Sequence, residues 1–194
     1  GDSMVADLRI ADRRRAGPGL KEEVWRNTIE MVGDVVVPPG GRLTIVPGTR
    51  VIVGEDLRRS GRDPQRSELV VQGECTIGSA TAIHSDDVLF TSAAANPRPG
   101  DWYGIAVDLV GRIVMHRVEI EYARDGVSGE RLQNNQFLDK VAIRQVSHCG
   151  IRFADVRDLV TLTRLEVSQA GSTGVWIGGP GKAQIRASLF SNNG

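Results

Sequence analysis

The sequence predicts an all-β protein wound as a right-handed parallel β-helix, a solenoid of coils 22 to 24 residues long. Three observations carry that expectation. A Gly followed by a β-branched residue recurs at Gly104-Ile105, Gly126-Val127, Gly150-Ile151 and Gly174-Val175, at spacings of 22, 24 and 24 residues. Aligning on those pairs brings further residues into columns: Met115, Leu138, Leu162 and Ile185; Val118, Val141, Leu165 and Ser188; Ile120, Ile143, Val167 and Phe190; Val107, Gly129, Phe153 and Ile177. The composition, with 23 Gly and only 5% aromatic residues, suits many short strands and turns better than a helical bundle.

The columns have a physical meaning. Within each repeat the apolar residues alternate at period two, so they share one face of a strand. A unit this short cannot bury its own apolar face, but stacked neighbours build a continuous core. The repeated glycines fit tight turns that need positive φ, Asp125-Gly126 being the strongest turn pair. A flat α/β sheet would need a helix of about ten residues or more between parallel strands, and stretches such as 131–136 are too short and too polar.

Element by element, residues 1–23 carry mixed charges and Gly17-Pro18-Gly19, and read as a linker or N-terminal cap with one short helix over 5–15. The β-helix then runs over 24–194, about six or seven coils. Short strands fall at 35–37, 42–46, 50–53 and 68–72, separated by Pro38-Pro39-Gly40-Gly41 and Pro47-Gly48. Residues 56–67 and 93–100 read as loops, and Trp25 and Trp102 as packing at the ends or under loops. The Gly-apolar period reaches past Gly194, which predicts a stack truncated at its C-terminal end. Such an open edge of unpaired backbone groups invites end-to-end self-association.

Charge and cysteine content narrow the function classes. Lys plus Arg and Asp plus Glu number 24 each, so no basic excess points to nucleic acid. No apolar run approaches the roughly 20 residues of a membrane helix, so no membrane insertion is expected. Cys75 and Cys149 stand alone and read as buried free thiols rather than a disulfide framework.

Gly33-Asp34-Val35-Val36-Val37-Pro38 and Leu43-Thr44-Ile45-Val46-Pro47-Gly48-Thr49, then Leu69-Val70-Val71-Gln72-Gly73 and Asp101-Trp102-Tyr103-Gly104-Ile105, resemble coils of the pectin-lyase-like right-handed β-helix superfamily. The phrasing is similar to repeats of bacterial extracellular proteins, so the resemblance implies a secreted or cell-surface location. That superfamily holds lyases, hydrolases, epimerases, adhesins and inert stalks, and so implies no single activity. Its lyases use clustered carboxylates for calcium with an Arg or Lys base, and its hydrolases use paired Asp residues. Neither pattern maps onto this chain. Asp155 and Asp158 bracket a turn without a third acidic neighbour, and His84, His116 and His148 occupy different positions of the repeat. The expectation is therefore no catalytic residue, no metal and no cofactor.

The outward positions are more informative. Arg117, Lys140 and Arg164 recur once per coil, about 4.8 Å apart along the stack. They read in two ways: a basic ladder matched to an acidic polysaccharide, or a solvated face whose charges are offset by neighbours such as Glu119 and Glu166, with Glu121 over Arg144 as one cross-coil pair. A second outward column holds Ala106, Ser128, Arg152 and Trp176, where an exposed Trp beside an Arg would stack a sugar ring or make a cation–π contact. The resulting expectation is a non-catalytic structural or glycan-binding β-helix module, its partner a polysaccharide or cell-surface glycan. The alternatives are a fragment of a polysaccharide lyase, hydrolase or epimerase, and a self-assembling structural β-helix.

Overall fold

Alternating side chains become strands with one buried face. In β5 (Arg42–Ile45) and β6 (Arg50–Val53), Leu43, Ile45, Val51 and Val53 point inward while Thr44 and Ile52 stay half-buried. The same alternation runs through the computed structural model, which describes residues 8–11, 22–55, 61–83 and 86–194. The chain is all-β with parallel sheets, one of thirteen strands and one of six among the described residues.

The six-stranded sheet is ordered β4 (Val35–Val37), β7 (Glu68–Val71), β10 (Gly104–Asp108), β12 (Val127–Glu130), β14 (Cys149–Ala154) and β17 (Thr173–Ile177). The larger sheet consists of two stacks that share the long strands β11 (Arg112–Glu121) and β13 (Gln136–Val146). One stack runs from β2 (Glu22–Trp25) through β5 and β8 (Glu74–Gly78), then the first halves of the long strands, to β15 (Leu159–Thr163) and β18 (Lys182–Arg186). The other runs from β1 (Leu8–Ala11) and β3 (Thr28–Val32) through β6 and β9 (Val88–Ser92), then the second halves, to β16 (Glu166–Ala170) and β19 (Leu189–Ser191). Every pairing between these strands is parallel.

The register matches the sequence columns. Ile120 pairs with Ile143 and Ile143 with Val167, and all three side chains are fully buried. Met115, Leu138, Leu162 and Ile185 follow one another, as do Ile105, Val127, Ile151 and Val175. These columns from three directions form one core. Trp25 and Trp102 are both fully buried in that core, Trp25 on β2, the end strand of its stack, and Trp102 beside the inner strand β10. Trp102 stacks on Phe90 with ring centroids 6.1 Å apart and donates its indole N–H to the Glu121 carbonyl at 2.8 Å, which satisfies the one polar atom it buries.

Two expectations change. The helix over 5–15 fails at 8–11, which form β1 beside β3; the rest of that segment lies outside the described residues, as does 56–60 of the expected loop. The repeated glycines are required for space rather than for positive φ: of the four, only Gly104 has φ in the left-handed region, at 123°. A Cβ at Gly126 would fall 2.6 Å from both the Gly150 carbonyl oxygen and Ile143 Cγ2, and one at Gly150 would fall 2.3 Å from Val167 Cγ1. The sharp bends sit elsewhere. Arg117, Lys140, Arg164 and Ala187 share one bend with φ of 57°, 54°, 53° and 49°, and Tyr122, Gln145, Gln169 and Asn192 share a second. Each non-glycine in that region costs about 1–2 kcal/mol, which the flanking ladders outweigh.

Candidate functional site

The bends bring the expected basic residues together. Arg117 and Lys140 turn β11 and β13 from one stack into the other, and Arg164 makes the same turn between β15 and β16. All three line one groove of about 390 Å³ with Asp87, Glu119, Arg144 and Glu166. They are bend residues, Arg117 and Lys140 inside the long strands and Arg164 between two short ones, and the bend sets their partners. The Arg117 Nε donates to Asp87 at 2.8 Å, and Arg164 grips Asp139 with two hydrogen bonds of 2.8 and 2.6 Å. Arg144 donates to Glu119 at 2.6 Å and lies 3.6 Å from Glu166, so its partners are those two carboxylates rather than Glu121, which accepts from Thr91. Lys140 alone of the three is exposed without an ion pair or hydrogen bond among the described residues. Arg117 and Arg164 are offset by neighbouring carboxylates, and Lys140 is not.

The second column is in register as expected, Ala106 beside Ser128, Arg152 and Trp176. Its first members are covered. Arg62 pairs with buried Glu68 at 2.9 Å and with Asp108, and lines one groove with Val70, while Ala106 is 2% exposed. Past Ser128 the sheet is open. Arg152 donates to Glu130 at 2.9 Å, and this bond holds the Glu130 carboxyl below the usual carboxylate range. Trp176 is 47% exposed, its indole resting against Gly178, where a Cβ would come within 3.1 Å of the ring. A groove of about 430 Å³ lined by Arg62, Tyr103, Asp108, Glu130, Arg131 and Arg152 opens earlier in the column, at Ser128 and Arg152.

A third constellation lies at the edge of the six-stranded sheet, among the residues that precede the repeated glycines. Tyr103, Asp125, Cys149 and Thr173 follow one another there, as the backbone bond from the Asp125 amide to the Tyr103 carbonyl and the Cys149–Thr173 pairing show. Asp125 is fully buried and has three neighbours on its carboxylate: His148 Nδ1 at 2.7 Å, the Cys149 amide at 3.0 Å and Arg124 Nη1 at 3.1 Å. The other imidazole nitrogen, His148 Nε2, lies 3.9 Å from Cys149 Sγ. Arg124 also sits over the Tyr103 ring, 5.2 Å from its centroid. Burial, followed by the Asp125 charge, pushes the Cys149 thiol up from its ordinary value.

One ligand atom each from Asp125, His148 and Cys149 lies within 4.8 Å of the others. Both Asp125 oxygens already accept hydrogen bonds, and the three side chains together offer three ligand atoms, one fewer than the four of a closed zinc site. The arrangement is a thiol–imidazole pair oriented by a carboxylate. Sequence reading misses it because Asp125 looks like a turn residue and Cys149 like a core thiol. The available signal is that the residues before each repeated glycine share a column. Of the other histidines, His116 has a buried Nδ1 without a hydrogen bond, 3.6 Å from Asp139, and His84 lies outside the described residues. Asp155 is paired with Arg157 at 2.8 Å.

Comparison with protein-family models, with curated proteins and with solved structures returns no match for this chain.

Proposed function

We propose that the chain is a right-handed parallel β-helix of the pectin-lyase-like kind, a non-catalytic structural module of a secreted or cell-surface bacterial protein that binds a glycan on the open part of its six-stranded sheet. The winding is supported by the order of pairing: β10, β12, β14 and β17 are neighbours in one sheet, and the chain visits the other two stacks between each of them. The observation that carries the binding reading is Trp176, nearly half exposed and in register beside Arg152 on a parallel sheet. An indole face packs on the apolar side of a sugar ring, and neighbouring paired Arg and Glu groups supply donors and acceptors for its hydroxyls.

A glycan array followed by calorimetry tests this. The expected result is a hit whose affinity falls at least about tenfold in Trp176→Ala and changes little with salt, since the Arg and carboxylate groups nearby are already paired. No hit on a broad array, or binding untouched by Trp176→Ala, overturns it. A second reading, self-association through the strands β17 to β19, is favoured by Ile185, Leu189 and Phe190, all at least 42% exposed on strands that pair on one side only. Light scattering that shows a monomer at every concentration overturns that reading.

A further inference from the structure

We propose that Cys149 is a nucleophilic thiol site for small soft electrophiles, with His148 as its general base and Asp125 as the residue that positions the base. This inference rests on residues apart from the proposed glycan face and survives that reading's failure. Its foundation is the direction of each hydrogen bond. The Cys149 amide and the Arg124 guanidinium can only donate, and both point at Asp125, which makes that side chain an acceptor. The proton between Asp125 and His148 therefore sits on Nδ1, and in the neutral imidazole the lone pair is then on Nε2, the atom 3.9 Å from Cys149 Sγ. Carboxylate to imidazole to thiol is the order that activates nucleophilic Ser and Cys side chains on unrelated folds. The last contact is long, as is common in resting sites that tighten when a ligand arrives.

The groups facing the thiol come from three strands and their junctions. Asp125 precedes β12, Thr173 offers its backbone N–H from β17, and Arg124 and Arg152 lie nearby. Burial and Asp125 favour the protonated thiol, while Thr173 and the two arginines oppose them. The resting group is a thiol, so attack needs a base, and His148 is placed to be that base. In the reaction with iodoacetamide the Sγ–C bond forms as the C–I bond breaks, iodide leaves with the bonding pair, and the thiol proton passes to His148 Nε2. Cys149 is only 4% exposed, but the imidazole above it is 40% exposed, so the approach runs past His148 and admits small reagents.

The chain carries its own control. Cys75 is 1% exposed and burial pushes it up to about 12. The test is iodoacetamide labelling of the native full chain, with each cysteine followed by mass spectrometry. Cys149 should react at least about 100-fold faster than Cys75, and His148→Gln should remove about 100-fold of that rate. Asp125→Asn, which keeps the side-chain shape but weakens the hold on the imidazole, should lose part of that rate. Continued protection of Cys75 shows that each variant is folded. If His148→Gln fails to fold, the Cys149-to-Cys75 ratio in the wild type and the Asp125→Asn rate decide. Equal labelling of both cysteines, or a folded His148→Gln or Asp125→Asn that reacts like the wild type, overturns the proposal.

Discussion

The two polar surfaces of this molecule are built on different principles. Along the bend, a basic residue recurs at nearly every repeat, Arg117, Lys140 and Arg164, and two of the three are neutralised where they stand. At the edge of the six-stranded sheet nothing recurs: Tyr103, Asp125, Cys149 and Thr173 are four different side chains at equivalent positions. Parallel in-register stacking explains the contrast. It sets like beside like, which suits Ile over Ile but makes a column of cations repel unless carboxylates are interleaved. A column of unlike residues has no such conflict, and neighbouring repeats can combine a carboxylate, an imidazole and a thiol. Regularity serves the scaffold, and chemistry collects where the repeat is broken.

The largest test strikes what both surfaces share. Ile143 lies in the buried column and directly beneath Gly126, the residue after Asp125. Ile143→Ala should cost about 2–5 kcal/mol in denaturant unfolding. It should also slow Cys149 labelling, because the floor under Asp125 is lost. A cost below about 1 kcal/mol would mean that the column is not packed as described.

The next two tests separate the surfaces. Asp125→Ala removes a fully buried acceptor from three donors, and should cost about 3 kcal/mol. Arg164→Ser breaks the two bonds to Asp139, but Arg164 is half exposed, so solvent screening limits the loss to about 1 kcal/mol. The Arg164→Ser loss should shrink as salt rises, whereas the Asp125→Ala loss should not. Urea melts at low and high ionic strength check both. Equal salt sensitivity in the two variants would erase the distinction between the surfaces.

Much of this was legible in the sequence. The columns through Ile120, Ile143 and Val167 follow from spacing alone, because burial on one face leaves a period that no other element shares. The bends were not legible, since Arg117, Lys140 and Arg164 carry none of the Gly, Asn or Asp signals that mark a left-handed residue. Their backbone conformation is imposed by ladders on both sides, a tertiary constraint with no local trace. The sheet edge was hidden differently. Asp125-Gly126 looks like a turn, yet Gly126 is there for want of space, and Asp125 faces a residue 23 positions later. Only the register of the two repeats joins them.

Lys140→Gly sharpens the same point with an effect of opposite sign. Lys140 sits at φ 54° and has no ion-pair partner among the described residues, so glycine relieves strain and gives up little. Stability should rise by up to about 1 kcal/mol, less glycine's greater entropy in the unfolded chain. Arg117→Gly should gain less, because it also loses Asp87. A clear destabilisation by Lys140→Gly would show that the lysine has a structural partner.

The smallest effect is a pH dependence on the open face of the six-stranded sheet. Arg152 holds Glu130 below the ordinary carboxylate value by donating a hydrogen bond to it. Glu130 therefore binds its proton more weakly in the folded chain than in the unfolded one. The contribution of the pair is fully present above the unfolded value of about 4.3 and is lost as pH falls through the lower folded value. Glu130 is largely exposed, so the amount is a few tenths of a kcal/mol at most. In Arg152→Ala the carboxylate moves back toward its ordinary value, with Arg62 and Arg131 still nearby. Wild type and variant should then differ slightly more at pH 6 than at pH 3, after the cost of the lost arginine, common to both pH values, is subtracted. This tests whether the face stays pre-paired without ligand: a gap that widened toward pH 3 would mean that Arg152 is held by something other than Glu130, and the proposed sugar face would need a different set of hydrogen-bonding groups.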